Sequence, residues 1–360
     1  MLQRTRRSII SDFRIDQITN QAGTAGPDIA GITTFSGSSG LLMPRGATEY
    51  RGGRGRGIFV SGTIVQIPAT SNVNVTDYIT ISTLGNSLDF GDSTAVGNEQ
   101  KGGCASSTRG VYHTTSSNSL EYITISSTGN AFDFGDLNYG GAGASIRQTQ
   151  LCSNSSRGLI SAGYINGPVN YIEFINISTL GNASSFGNLL TAAFGPGASV
   201  ASPTRAVHFL SQTPGNNNIL EFNTILTLGN AQDFGDLVSG PGMRNCGSCS
   251  SSVRGIFAGG GTSPPSGINT IEYITIATLG DSIDFGDLVK SSNFRLSGTS
   301  SSTRGIFGGG ETIGSPGGAI INSIDYITIS STGNAQDFGD LILARSGGSS
   351  LSDAHGGLGD

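Results

Sequence analysis

The sequence predicts an all-β fold: a six-bladed β-propeller preceded by an N-terminal extended anchoring arm. Three observations lead there. A hairpin-like unit, seen in full over residues 268–288, occurs six times. Its two aromatics, for example Tyr273 and Phe285, are always 12 residues apart. An Arg-started strand precedes each copy, and these arginines (Arg56, Arg109, Arg157, Arg205, Arg254, Arg304) are spaced 53, 48, 48, 49 and 50 residues apart. A period of about 50 residues holding four short strands matches one propeller blade.

Residues 1–41 do not match the repeat. They carry Arg4, Arg6, Arg7 and Arg14 with Phe13 and Phe35, and too few apolar residues to build a core. An anchoring arm is expected there, with the propeller over residues 42–360. The N-terminus is basic, but no apolar stretch follows, so no secretory signal is expected. No 18-residue apolar run is present, which removes the transmembrane-helix reading. With a formal net charge of −6 there is no electrostatic ground for nucleic-acid binding.

In five repeats the second strand opens with Arg-Gly, as in Arg304-Gly305-Ile306-Phe307, and in the fourth with Arg205-Ala206. Arg45, Arg147, Arg244 and Arg295 lie 9 to 11 residues before a repeat arginine and mark a first strand. The third and fourth strands flank a Gly-Asn or Gly-Asp pair such as Gly129-Asn130 or Gly280-Asp281, residue types that tolerate positive φ in a tight turn. Ile271, Ile274 and Ile276 make both faces of the third strand apolar, so each hairpin must lie between neighbours.

The order Arg295, Arg304-Gly305-Ile306-Phe307-Gly308-Gly309, Tyr326 and Phe338 resembles a kelch repeat, and the likeness covers roughly residues 42–360. Where kelch blades carry a Trp, every copy here has a Phe, which can fill the same slot between blades. The wording RGIF-GGG followed by NTIEYITI-TLGN-DFGDL also resembles repeats in virion proteins of marine tailed phages, notably cyanophages. That resemblance implies a non-enzymatic structural protein of a tail or head appendage, oligomeric in the particle and made in the host cytoplasm. The arm would meet other virion proteins, and the propeller a host-surface glycan or protein. A carbohydrate-binding, lectin-like propeller unrelated to a virion is the alternative.

The remaining motifs favour structure over chemistry. Asp-Phe-Gly-Asp occurs five times (Asp89–Asp92 is the first) with no nucleotide-loop lysine, which removes a kinase reading. Two Asp per blade are thin coordination for calcium. The expectation is that the first Asp bonds backbone donors and the second ends the strand, meeting a repeat Arg. Cys246 and Cys249 lack the further ligands of a zinc site. Cys104, Cys152 and Cys249 share one repeat position and are expected to fill a small buried slot. His113, His208 and His355 are dispersed. No metal or cofactor is expected, and a kelch-type copper oxidase would need ligands that are missing from this pattern. Arg51-Gly52-Gly53-Arg54 resembles an RNA-binding RGG segment but runs straight into the first repeat.

The distance from repeat Arg to hairpin aromatic varies (22, 13, 17, 17, 19 and 22 residues) while the hairpin never does. All that variation falls in the connection between second and third strands, which projects on one face of the ring. Residues 62–76, 261–269 and 310–322 form the long connections. Thr63, Gln66, Asn72, Asn74, Thr262, Ser263, Ser266, Glu311, Thr312 and Ser315 are therefore the candidate ligand-binding residues. Finally, residues 343–353 repeat a first strand with no blade to follow. They are expected to complete blade 1 beside residues 57–61, in competition with residues 42–50.

Overall fold

The computed structural model describes residues 55–66, 69–97, 102–113, 117–141, 143–193, 198–213, 215–239, 244–263, 266–290, 294–312 and 319–359. Six four-stranded antiparallel sheets form a six-bladed β-propeller. Blade 5 is typical, with strand a at Gly247–Ser250, b at Arg254–Ala258, c at Thr270–Thr275 and d at Ile283–Asp287. Strand a is innermost and d outermost. The a–b and c–d turns thus share one face, the turn face. The b–c and d–a connections share the other.

Blade 1 is assembled from both ends of the described chain. Its strand a is Ser349–Ser352, which pairs antiparallel with Arg56–Gln66: Gly57 opposite Ser352, Ile58 opposite Leu351, Phe59 opposite Ser350. Just before that strand, Arg345 forms a buried ion pair with Asp77 of blade 1 at 3.3 Å, the side chains 3% and 0% exposed. Arg345 also donates to the Phe59 carbonyl. Removing either member would leave an uncompensated buried charge, so this pair pins the closing strand. Residues 1–41 and 42–50 lie outside the described residues.

Neighbouring blades meet in six equivalent joints, and the repeat motifs are the parts of that joint. The repeat Arg of one blade stacks on its own strand-c aromatic and donates Nη1–H to a carbonyl of the next blade. Arg56 lies 4.5 Å from the Tyr78 centroid and bonds Ile125 O at 2.8 Å. Arg304 lies 4.6 Å from Tyr326 and bonds Ile81 O, which closes blade 6 onto blade 1. The expected Arg–Asp bond is therefore replaced by an Arg–carbonyl bond. The strand that starts with Arg comes closest to the end of the neighbour's strand c, not to the Asp-Phe-Gly-Asp segment.

That segment serves a second contact. The Phe of each copy is buried and lies edge-on to its strand-c aromatic, as for Tyr273 and Phe285 at 6.0 Å. Its carbonyl accepts from the turn glycine of the next blade, for instance Gly129 N–H to Phe90 O at 2.7 Å. The turn Asn accepts from the amide of the motif's last residue, as in Asp92 N–H to Asn130 Oδ1 at 3.1 Å. Gly-Asn was expected for its tolerance of positive φ. Only the glycine adopts it (Gly129, φ 153), and the Asn works through its side chain. The motif glycine needs its missing side chain, because a Cβ on Gly135 would stand 2.5 Å from the Gly181 carbonyl.

A third contact explains the Arg-Gly glycine and the cysteines together. A Cβ on Gly158 would meet Cys104 Sγ at 2.7 Å, and one on Gly305 would meet Cys249 Sγ at 2.6 Å. Val200, Thr299 and Leu351 fill the same position against Gly255, Gly57 and Gly110. In five of the six blades the strand-a side chain is thus a knob seated on the next blade's glycine; blade 4 has Ala206 at that position. The four thiols are buried, and burial raises all their pKa values, Cys152 and Cys246 to about 12.

Inner strands approach so closely that serine hydroxyls stitch them together: Ser250 Oγ–H donates to Ala201 O and Ser300 Oγ–H to Ser250 O. An axial cavity of about 90 Å³ remains. Beyond the closing strand the chain continues as a 3-10 turn, Gly356–Leu358, across the turn-face end of that axis. His355 Nε2–H donates to Ala105 O at 2.7 Å. A Cβ on Gly357 would sit 1.8 Å from Ser153 O, so only glycine fits this stopper.

Both glycines of the blade-2 hairpin have strongly positive φ, but only at Gly135 would an added Cβ meet the neighbouring blade. Gly129→Ala should cost backbone strain alone, about 1–3 kcal/mol. Gly135→Ala should add overpacking of about 1–3 kcal/mol more. Equal losses in chemical denaturation would contradict the close approach between blades.

Candidate binding face

Among the described residues, four of the b–c connections, expected as loops, are β-ribbons. In blade 1 the ladder runs on through Arg56–Gln66 and Ala69–Thr80 to the pair Gln66 and Ala69, with a bulge after Val60. Blade 5 adds Gly261–Ser263 paired with Ser266–Gly267, and blade 6 adds Glu311–Thr312 paired with Ala319–Ile320. Blade 4, whose spacing of 17 residues hides it, has a ribbon built by Arg205–Thr213 and Gly215–Thr224. The ribbons thus belong to four consecutive blades, 4, 5, 6 and 1.

The sequence-predicted residues fall into two groups. Thr63 and Glu311 are brought together through Ser346 of the closing segment. Thr63 and Ser346 exchange backbone hydrogen bonds at 2.8 and 3.0 Å, and Ser346 Oγ–H donates to Glu311 Oε1 at 2.9 Å. Asn72 joins them by accepting from Thr63 Oγ1. The others are not gathered. Asn74 donates to Ser93 O within its own blade, Thr312 bonds Ala319 across its ribbon, and Gln66 lies at the ribbon tip. Thr262, Ser263 and Ser266 form the blade 5 ribbon. Ser315 and the arm residues Arg4, Arg6, Arg7, Arg14, Phe13 and Phe35 lie outside the described residues.

Sequence patterns mark Arg244 and Arg295 only as strand starts, and Phe294 and Ser346 not at all. In the fold, Phe294 and Glu311 exchange backbone hydrogen bonds at 2.9 and 2.7 Å. Arg295 Nη1 lies 3.6 Å from Glu311 Oε1. Two guanidinium groups approach the Phe294 ring, Arg295 at 5.8 Å and Arg244 at 6.0 Å from its centroid.

Under this face runs a ring of buried acids: Asp77, Glu121, Glu173, Glu221, Glu272 and Asp325. Each precedes the strand-c aromatic and accepts from backbone amides of the previous blade's d–a connection. Tyr139 N–H donates to Glu173, Thr191 N–H to Glu221 and Val289 N–H to Asp325, all at 3.0 Å. These acids, rather than the Asp-Phe-Gly-Asp carboxylates, do the expected work of bonding backbone donors. Burial pushes Glu173 and Glu221 above the usual carboxylate range, opposed by the amides they accept from. Asp325 is pushed up to about 6, again chiefly by burial.

The histidines are built into the packing. His113 bonds Thr149 Oγ1 and the Ser117 carbonyl. His208, where other blades carry Phe, Tyr or Ile, bonds Ser161 and Ser199 through Nδ1, and burial lowers its pKa to about 4. Among the described residues no group of three or more His, Cys, Asp or Glu is placed to hold a metal ion, and no helix is long and apolar enough to cross a membrane. The axial cavity has room for a few waters. Typical ligand pockets are several-fold larger, which leaves the ribbon face as the candidate site.

No family model matches the chain, and no curated protein matches it. Among solved structures 334 chains resemble it, so the fold is widely shared and carries no function by itself. One is the propeller protein in the structure of YjhT, with a TM-score of 0.56 at 10% identity over 70% of this chain and 87% of that one.

Because the Asp325 carboxyl is raised from 3.8 to about 6, the folded state holds its proton more tightly than the unfolded state. This contribution is full below about pH 4 and lost as pH rises through about 6, a fall of up to about 3 kcal/mol. Asp325→Asn keeps an acceptor for Val289 and should flatten stability across that window. An unchanged pH slope in denaturation would show that Asp325 is not the titrating group.

Proposed function

We propose that this protein is a non-enzymatic structural component of a phage virion, on a tail or head appendage. Residues 1–41 anchor it to other virion proteins, and the kelch-like ring displays its ribbon face to a host-surface glycan or protein. The observation that carries the reading is the split between what is constant and what varies. The polar residues common to the blades are engaged in the joints between them, which suits a scaffold. Length variation falls in the b–c and d–a connections, which share one face, where repeat arrays place their contacts. The virion assignment itself rests on the resemblance of the repeat wording to phage particle proteins. The second reading, a free carbohydrate-binding propeller, draws on the Thr63–Ser346–Glu311–Arg295 cluster, which suits recognition without requiring a particle.

Deletion of residues 1–41 separates the two. The truncated protein should keep its β-sheet circular dichroism and melting temperature, yet be missing from purified particles. Incorporation at wild-type copy number would remove the anchoring role, and an unfolded product would make the arm part of the core.

A further inference from the structure

We propose that the junction of blades 5 and 6 on the ribbon face binds an anionic group, a carboxylate or phosphate, of a polysaccharide. The proposal deepens the reading of that face as a contact surface and rests on it.

Arg295 occupies a left-handed backbone position that recurs from blade to blade. Its φ is 58°, and the matching positions hold Gln148 at 56°, Asn245 at 59° and Gly347 at 69°. Asn and Gly visit this left-handed region readily, whereas Arg is strained there. Strained residues persist where surrounding structure holds them, and they cluster at ligand contacts. The backbone around Arg295 is held on both sides, since its N–H donates to Asn245 O and its carbonyl accepts from Gly347 N–H.

The side chain is aimed and left accessible. It is 37% exposed and stacks on Phe294, itself only 6% exposed, with Arg244 on the same ring from blade 5. Glu311 is 3.6 Å away, beyond the 2.7–2.9 Å of a charge-assisted hydrogen bond, and its Oε1 already accepts from Ser346. Glu311 therefore orients the guanidinium without using up its donors. A planar guanidinium fork matches the two oxygens of a carboxylate or phosphate. Because Phe294 is buried, the described residues of the junction present no open apolar ring to anchor a peptide side chain. Ribbon hydroxyls such as Thr63 and Thr312 are suited to sugar hydroxyls, which favours a saccharide carrier.

The test is calorimetric titration of the full-length protein with oligogalacturonate, a phosphomannan oligosaccharide, a malto-oligosaccharide of equal length and poly-glutamate. One or both anionic saccharides should bind, at least ten-fold more weakly at 300 mM than at 50 mM salt. Arg295→Gly suits a φ of 58° and should leave the melting temperature undiminished, yet weaken that binding at least ten-fold. Arg244→Gln should also weaken it, and Glu311→Gln should leave it equal or tighter. The proposal is overturned if neither anionic saccharide binds, if the malto-oligosaccharide or poly-glutamate binds as tightly, or if Arg295→Gly binds like wild type. Particle incorporation of Arg295→Gly is scored separately, so lost binding with normal incorporation leaves the virion reading standing. Saccharide binding without arm-dependent incorporation would leave this site standing instead.

Discussion

The structure depends on a cation handed from one blade to the next. Each repeat arginine lies flat on the aromatic of its own strand c and gives its outer N–H to a carbonyl of the following blade. A hydrogen bond from a charged donor contributes about 1.5–3 kcal/mol and the ring contact about 0.5–1 kcal/mol more. Neither is large alone. What matters is that the acceptor always belongs to a neighbour, so a blade satisfies its arginine only inside a closed ring. The turn glycine on the neighbouring Phe carbonyl, the Asn cap and the buried acid obey the same rule. A single repeat has few polar contacts of its own, which explains why sequence is uniform at the joints and free at the ribbons.

Much of this is legible in the sequence. The fixed 12-residue hairpin and the recurring Arg-Gly strand determine the number and kind of blades. Apolar residues on both parities of strand c show that both faces are covered. What the sequence hides is which neighbour each residue meets. The Gly-Asn pair reads correctly as a turn, but its Asn bonds a strand about 40 residues earlier, a contact without any local signature. The acid before the strand-c aromatic is visible in all six copies. Its role is not, because an acid beside a strand aromatic normally faces water, and only the packed ring brings a donor amide to it. The same limit applies to the candidate site. Spacing locates the long connections of blades 1, 5 and 6, but it hides the blade 4 ribbon and the meeting of two arginines at Phe294.

The chain's ends show how closure is secured. The strand Ser349–Ser352 enters blade 1 with a buried Arg345–Asp77 pair behind it and the His355–Leu358 stopper ahead. Strand pairing, ion pair and stopper are distributed along a dozen residues, so the seam is held at three separate places. The stopper lies on the turn face, opposite the ribbons, and leaves the ribbon face clear for contact.

The central claim is that the joint between blades 6 and 1 equals the other five. Amide hydrogen exchange reads it directly at the turn glycines, whose N–H groups all donate across a joint. Gly85, bonded to Phe338 O across the seam, should exchange as slowly as Gly129, Gly181, Gly229, Gly280 and Gly333, all at the rate of global unfolding. Fast exchange at Gly85 with the other five protected would show a ring that opens at its seam, and would contradict the account.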